Sequence, residues 1–190
     1  MGREFRFKLI VQNPYVFILC LLGGVNEGVF NFGYIFGKET LRDMPPQYYQ
    51  YVVSIGGMIG PILFGALADK KGIFFMTIFL SAILILANFS FVAFVLTHVQ
   101  HPIFYYVTAF VESAMAMSLV TLGVALVGER LKLKGIFRAF TLSNLFFGLG
   151  IIIASRIVQL TTPSFLAFKF CTGSINVILV GLLIYYYVQD

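Results

Sequence analysis

Residues 73–97 read IFFMTIFLSAILILANFSFVAFVLT, an unbroken run of 25 residues without a charged side chain. A helix rises about 1.5 Å per residue, so this run reaches across the roughly 30 Å hydrocarbon core of a bilayer. Lipid offers the backbone no water to bond, so a crossing segment of this kind satisfies its own peptide groups as a helix. Strands of a membrane barrel would alternate polar and apolar side chains over about 10 residues, and the run does not alternate. Outward from it the same texture returns on both sides, predicting spans at 14–36, 48–68, 73–97, 103–128, 136–158 and 164–187. Polar or proline-bearing stretches separate them: Lys38 to Gln47 with Pro45 and Pro46, Asp69 to Gly72, His98 to Pro102, Glu129 to Gly135, and Thr161 to Pro163. The expected fold class is an all-α integral membrane protein, a six-transmembrane-helix bundle forming one domain over residues 1–190.

Composition supports this reading. Of the residues 59% are apolar and 11% charged, with a mean hydropathy of +0.94. Soluble domains carry about 25% charged residues, because a water-facing surface must be covered by polar groups. The net charge of +5 does not point to nucleic acid, since the basic residues sit in short clusters between apolar stretches. Arg3, Arg6, Lys8, Lys70, Lys71, Arg130, Lys132, Lys134 and Arg138 fall on one side of the predicted membrane. Lys38 and Arg42, offset by Glu39 and Asp43, fall on the other. The excess of Lys and Arg marks the cytoplasmic side, so both termini are expected there, in a plasma or bacterial inner membrane. Tyr48, Tyr49 and Tyr51 then fall at the outer interface, and Tyr185, Tyr186 and Tyr187 at the inner one. The basic N-terminus imitates a secretory signal, but the run that follows is too long and includes Asn26, Glu27 and Asn31, so it reads as a retained first span. Cys20 and Cys171 lie in apolar stretches and form no redox or metal pattern.

Between the second and third spans the chain reads Gly65-Ala-Leu-Ala-Asp69-Lys70-Lys71-Gly72. This resembles the G-x-x-x-D-[RK]-x-G loop of the major facilitator superfamily, which occupies the cytoplasmic turn after the second helix. Val127-Gly128-Glu129-Arg130 through Lys134-Gly135, followed by Arg138-Ala139, resembles that family's acidic end of span 4, basic loop and small-residue start of span 5. The two basic residues that continue the family's loop are replaced by Ile73 and Phe74, and its usual Arg in span 4 is missing, its place falling near Ala109. The resemblance covers one six-helix half, and full members have two halves related by an axis along the membrane normal. It implies a cytoplasmic gating loop made of Gly65, Asp69, Lys70, Gly72, Glu129, Arg130 and Arg138. There Asp69 would meet the start of span 5 in the opposite half, and Gly65 would allow close helix approach. On chemistry alone, Asp69 at a helix C-terminus is disfavoured by the dipole and requires either nearby cations, such as Lys70 and Lys71, or the N-terminus of another helix.

Charges inside the spans locate the chemistry. A charged side chain in hydrocarbon costs about 2.5–3.5 kcal/mol on insertion scales, so it faces a cavity or a partner. Glu27 lies near the middle of span 1, with Asn31 and Tyr34 at i+4 and i+7 on the same face. Glu112 and Lys169 lie at comparable depth in spans 4 and 6, and Arg156 is nearer the outer end of span 5. In the resembled family, spans 1 and 4 line the central cavity. The resemblance therefore implies a substrate or proton path through Glu27, Asn31, Tyr34, Glu112 and Lys169. Two other readings stay open: a Glu112–Lys169 ion pair that only locks the bundle, and a Lys169 that snorkels to the outer interface.

The remaining motifs point to packing. Gly24-x-x-x-Gly28, Gly33-x-x-x-Gly37 and Gly56-x-x-x-Gly60 are small-residue helix contacts. Gly60-Pro61 predicts a kink in span 2. His98-x-x-His101 lacks acidic or cysteine partners for a metal, and the Asn88-Phe-Ser90 sequon lies inside span 3. Neither cofactor nor metal is expected, and no enzyme motif is present: no zinc HExxH, no nucleophile elbow and no phosphate loop. The sequence predicts a secondary active transporter of a small molecule, coupled to protons or a solute. It would work by alternating access as a pair of six-helix halves, a homodimer or this chain with a related one. The alternatives are the N-terminal fragment of a twelve-helix transporter and a non-transporting membrane subunit.

Overall fold

The computed structural model describes residues 14, 17–19, 21–26, 46–97, 101–130, 136–161 and 164–189. Among them every regular element is helical and no strand occurs. The helices are α1 (Phe17–Asn26), α2 (Pro46–Lys71), α3 (Ile73–Leu96), α4 (Pro102–Arg130), α5 (Ile136–Thr161) and α6 (Phe165–Gln189). Four stretches, Gln47–Lys71, Ile73–Leu96, Ile103–Leu126 and Leu166–Gln189, are long and apolar enough to cross a membrane. Phe17–Asn26 and Gly148–Thr161 are shorter apolar helical stretches. The long apolar helices are compatible with an integral membrane protein.

Local chemistry sets the ends. Pro102 opens α4, where its missing N–H is not needed. His101 precedes it, and its carbonyl accepts from the Phe104 N–H at 3.1 Å. Ser164 caps α6, its hydroxyl oxygen accepting from the Ala167 N–H at 3.2 Å. Gly72 alone separates α2 from α3 and adopts φ +93° and ψ 138°. A side chain at that backbone conformation is strained even though nothing lies within 4 Å of where its Cβ would be. Gly72→Ala is therefore expected to destabilise the hairpin by about 1–3 kcal/mol, read as a lower unfolding temperature in detergent. Pro61 sits inside α2, which nonetheless runs as one helix from Pro46 to Lys71.

α2 packs chiefly on α4, and α4 in turn contacts α3 and α5, while α6 lies against α3 and α5. The α2–α4 crossing is made by glycine. A Cβ on Gly60 would sit 2.4 Å from the Ala114 carbonyl oxygen, and one on Gly56 would sit 2.6 Å from that of Phe110. The Ser113 hydroxyl adds a hydrogen bond to the Val53 carbonyl across the same contact. Gly150 of α5 approaches Gly24 of α1 in the same way, at 2.6 Å. Thus Gly56-x-x-x-Gly60 and Gly24 act as helix contacts, and Gly28, Gly33 and Gly37 lie outside the described residues.

The bundle buries polar side chains within an apolar core, and its exterior is apolar. Asn26, Asn88, Asn176, Ser113, Ser118, Thr172 and Lys169 are buried, whereas Met58, Ile62, Leu86 and Leu160 are exposed. Water would penalise that outer surface, and lipid does not. Buried hydroxyls close onto their own helix: Ser81 donates to Thr77 O at 2.7 Å, Ser118 to Ala114 O at 2.6 Å and Thr161 to Ile157 O at 2.7 Å.

Candidate functional site

α6 carries the polar file that organises the interior. Lys169, Thr172 and Asn176 recur at i, i+3 and i+7 and so share one face over about 10 Å of helix. Each meets a different helix. The Lys169 ammonium donates to Glu112 Oε2 of α4. The Thr172 hydroxyl lies 3.2 Å from Asn88 Oδ1 of α3. Asn176 and Asn26 of α1 exchange two amide hydrogen bonds, both of 3.0 Å. Asn26 and Asn88 use further amide hydrogens on their own helices, to Leu22 O at 2.8 Å and Leu84 O at 2.9 Å. Asn88 is therefore committed inside the bundle, which removes it as a glycosylation acceptor.

The ion pair is asymmetric. The Lys169 side chain is 3% exposed and the Glu112 side chain 12%. Beneath the ammonium lies the Phe91 ring, with its centroid at 5.7 Å. Glu112 Oε2 takes the lysine, while Oε1 is buried and has no hydrogen-bond partner among the described residues. A carboxylate oxygen left without a hydrogen bond in a low-dielectric interior is costly.

The structure thus brings together Glu112 and Lys169 of the predicted path, and it places Lys169 in a pair rather than snorkelling outward. Glu27, Asn31 and Tyr34 lie outside the described residues. Arg156 stands apart on the exposed side of α5, donating to Gln159 Oε1 at 2.8 Å. Thr172, Asn176, Asn88 and Asn26 escaped the sequence reading as partners of this site. For Thr172 and Asn176 the signal was the i+3 and i+7 spacing that starts at Lys169.

At the far end of the bundle, Asp69, Lys70 and Lys71 are exposed. Lys71 and Gly72 share a cavity of about 590 Å³ with Phe74, Leu126, Glu129 and Tyr187. The Phe74 and Tyr187 rings stack beside it, with centroids 3.4 Å apart and planes 8° apart. The end of α4 and the α2–α3 turn, which the sequence assigned to one gating loop, therefore meet. No described residue lies within 4 Å of a Cβ built on Gly65, so the close approach expected there is not made among the described residues. Arg130 ends α4 and Arg138 lies in the first turn of α5. His98 lies outside the described residues, and among those described no group of three His, Cys, Asp or Glu side chains could hold a metal. Comparison with family models, with curated proteins and with solved structures finds no match.

Proposed function

We propose that this chain is one six-helix half of a secondary transporter of the major-facilitator type. It would pair with a second half around a midplane cavity and alternate its access by rocking. The observation that supports this most is the buried Glu112–Lys169 pair, with one carboxylate oxygen unmet, inside a bundle whose exterior is apolar. Intramembrane charges are expensive, and those retained in membrane proteins serve substrate paths, ion paths or proton relays. The α2–α3 turn and Glu129 would lie on the cytoplasmic side and gate that end, and the gradient of a proton or a solute would drive the cycle.

The same ion pair also serves a second reading, a non-transporting membrane subunit in which it only fastens α4 to α6. Uptake separates the two. Purified protein in proteoliposomes with an acidic exterior is expected to move protons inward only when a transported solute is present, and Glu112→Gln is expected to abolish that movement. Solute-independent silence of the wild type against a broad panel of anions, cations and sugars would leave the subunit reading. The assumed orientation has its own check. A cysteine placed at Lys71 in a cysteine-free variant should react with a membrane-impermeant maleimide only after the cells are opened.

A further inference from the structure

We infer that the outward face of α5 is a water-lined wall rather than a lipid-facing surface, and that it admits neutral or anionic polar solutes in preference to cations. α3 and α6 set the pattern from which α5 departs. In α3, Thr77, Ser81 and Asn88 are buried while Phe75, Phe79 and Leu86 are exposed. In α6, Lys169, Thr172 and Asn176 are buried while Phe170, Val177 and Ile178 are exposed. α5 turns its amides and its guanidinium the other way. Gly150, Ala154, Ile157 and Thr161 recur at i, i+4, i+7 and i+11 and are buried against the bundle. On the opposite face Asn144, Arg156 and Gln159 are exposed, and Gly148 and Ser155 are half-buried.

Depth decides what covers that face. Arg156 lies about 8 Å along the axis from Thr161, and its long side chain reaches the membrane interface from there. Asn144 has no such route. It stands about 12 Å from Ile136 and about 26 Å from Thr161, and its side chain is short. Hydrocarbon would leave its amide hydrogen bonds unmade, whereas water makes them. A packed partner helix would have to bring an acid to Arg156 as well, because Gln159, which Arg156 bonds at 2.8 Å, is neutral. Water meets amide, hydroxyl and guanidinium alike. No described residue lies within 4 Å of a Cβ built on Gly148, so the middle of the face is open. α5 holds Arg138 and Arg156 but no Asp or Glu. A wet wall of that composition has a positive potential, which draws anions in and holds cations off. The inference rests on helix faces and not on the pairing of halves. Under the transporter reading it gives the solute path a wall distinct from the Glu112–Lys169 pair.

Spin labels on single cysteines test this in the full chain, reconstituted in liposomes, with Cys20→Ala and Cys171→Ala as the background. The labelled variants are Asn144→Cys and Gly148→Cys on this face, with Leu86→Cys and Ile178→Cys at exposed apolar positions of α3 and α6 for comparison. Dissolved oxygen concentrates in lipid, and a neutral nickel chelate stays in water. The labels on α5 are expected to collide with the chelate at least about threefold more often than those on α3 and α6, and less often with oxygen. Gly148→Cys carries the test if Asn144→Cys fails to fold, since its Cβ meets open space. Adding Arg156→Gln is expected to lower the ratio of collisions with anionic chromium oxalate to collisions with the hydrated nickel cation by about twofold or more at Gly148→Cys. Oxygen-dominated relaxation on α5 would mean lipid, and infrequent collision with both agents would mean a packed protein partner; each overturns the wet wall. An unchanged ratio in the Arg156→Gln variant overturns the preference for anions. A wet α5 face in a protein that takes up no solute would retire the transporter reading and keep this one. Solute uptake with α5 against lipid would do the reverse.

Discussion

Replacing Lys169 by methionine alone is expected to cost about 3–5 kcal/mol of stability, because the Glu112 carboxylate is left buried without its cation. Restoring neutrality with Glu112→Gln in the same chain should recover most of that loss. Well-packed neutral side chains commonly hold such a position as well as a buried ion pair does. Thermal unfolding of the two variants in one detergent measures the difference directly. Equal destabilisation of single and double variants would mean that the Lys169 side chain matters through packing rather than through its charge. The comparison separates the energetic role of the pair from its functional one. A neutral bundle that folds well but no longer couples proton to solute is the outcome expected of a site kept for transport.

The second large effect is expected at the α2–α4 crossing. Gly60→Val places a Cβ 2.4 Å from the Ala114 carbonyl oxygen and 2.7 Å from its Cα. Both contacts are to backbone, which cannot turn aside as a side chain can. The helices must separate, and the Ser113 bond to Val53 O is lost with them. Overpacking of a well-fitted contact costs about 1–3 kcal/mol, and a backbone clash belongs at or above the top of that range. Gly65→Ala in the same helix is the control, since nothing lies within 4 Å of its Cβ. Its stability is expected to stay level or to rise by up to about 1 kcal/mol from helix propensity. Under the proposed pairing of halves it would nevertheless reduce uptake, because the close approach at Gly65 would be to the other half.

Helix positions were readable from hydropathy because a membrane span must be a contiguous apolar run, a one-dimensional property. The expected 73–97, 103–128 and 164–187 lie close to the observed Ile73–Leu96, Pro102–Arg130 and Phe165–Gln189. Rotation about each helix axis was harder to read. When lipid surrounds the bundle, apolar side chains occupy both faces, so periodicity does not mark the inner one. Asn88 shows the consequence: in the sequence it stands among Leu84, Ala87 and Phe91 as an isolated sequon, and only the fold reveals that Thr172 is its partner. Glu112 and Lys169 were legible as a site because charge in a span is rare enough to need a reason. Which of the two stays buried, and which carboxylate oxygen stays bare, depends on helix contacts that no local pattern encodes.

The polar file on α6 also bears on how the chain is made. Hydroxyls such as Ser81 and Ser118 are satisfied within their own helix, so α3 and α4 can enter the bilayer without waiting for neighbours on that account. Glu112 depends on α6 for its cation, and Asn26 and Asn88 depend on it for their inter-helix partners. These groups reside in α1, α3 and α4, which leave the ribosome earlier. Until residues 169–176 emerge, three helices carry polar groups whose native partners have not yet been synthesised. A translation product halted at Thr161 would lack the partners that Lys169, Thr172 and Asn176 supply to Glu112, Asn88 and Asn26.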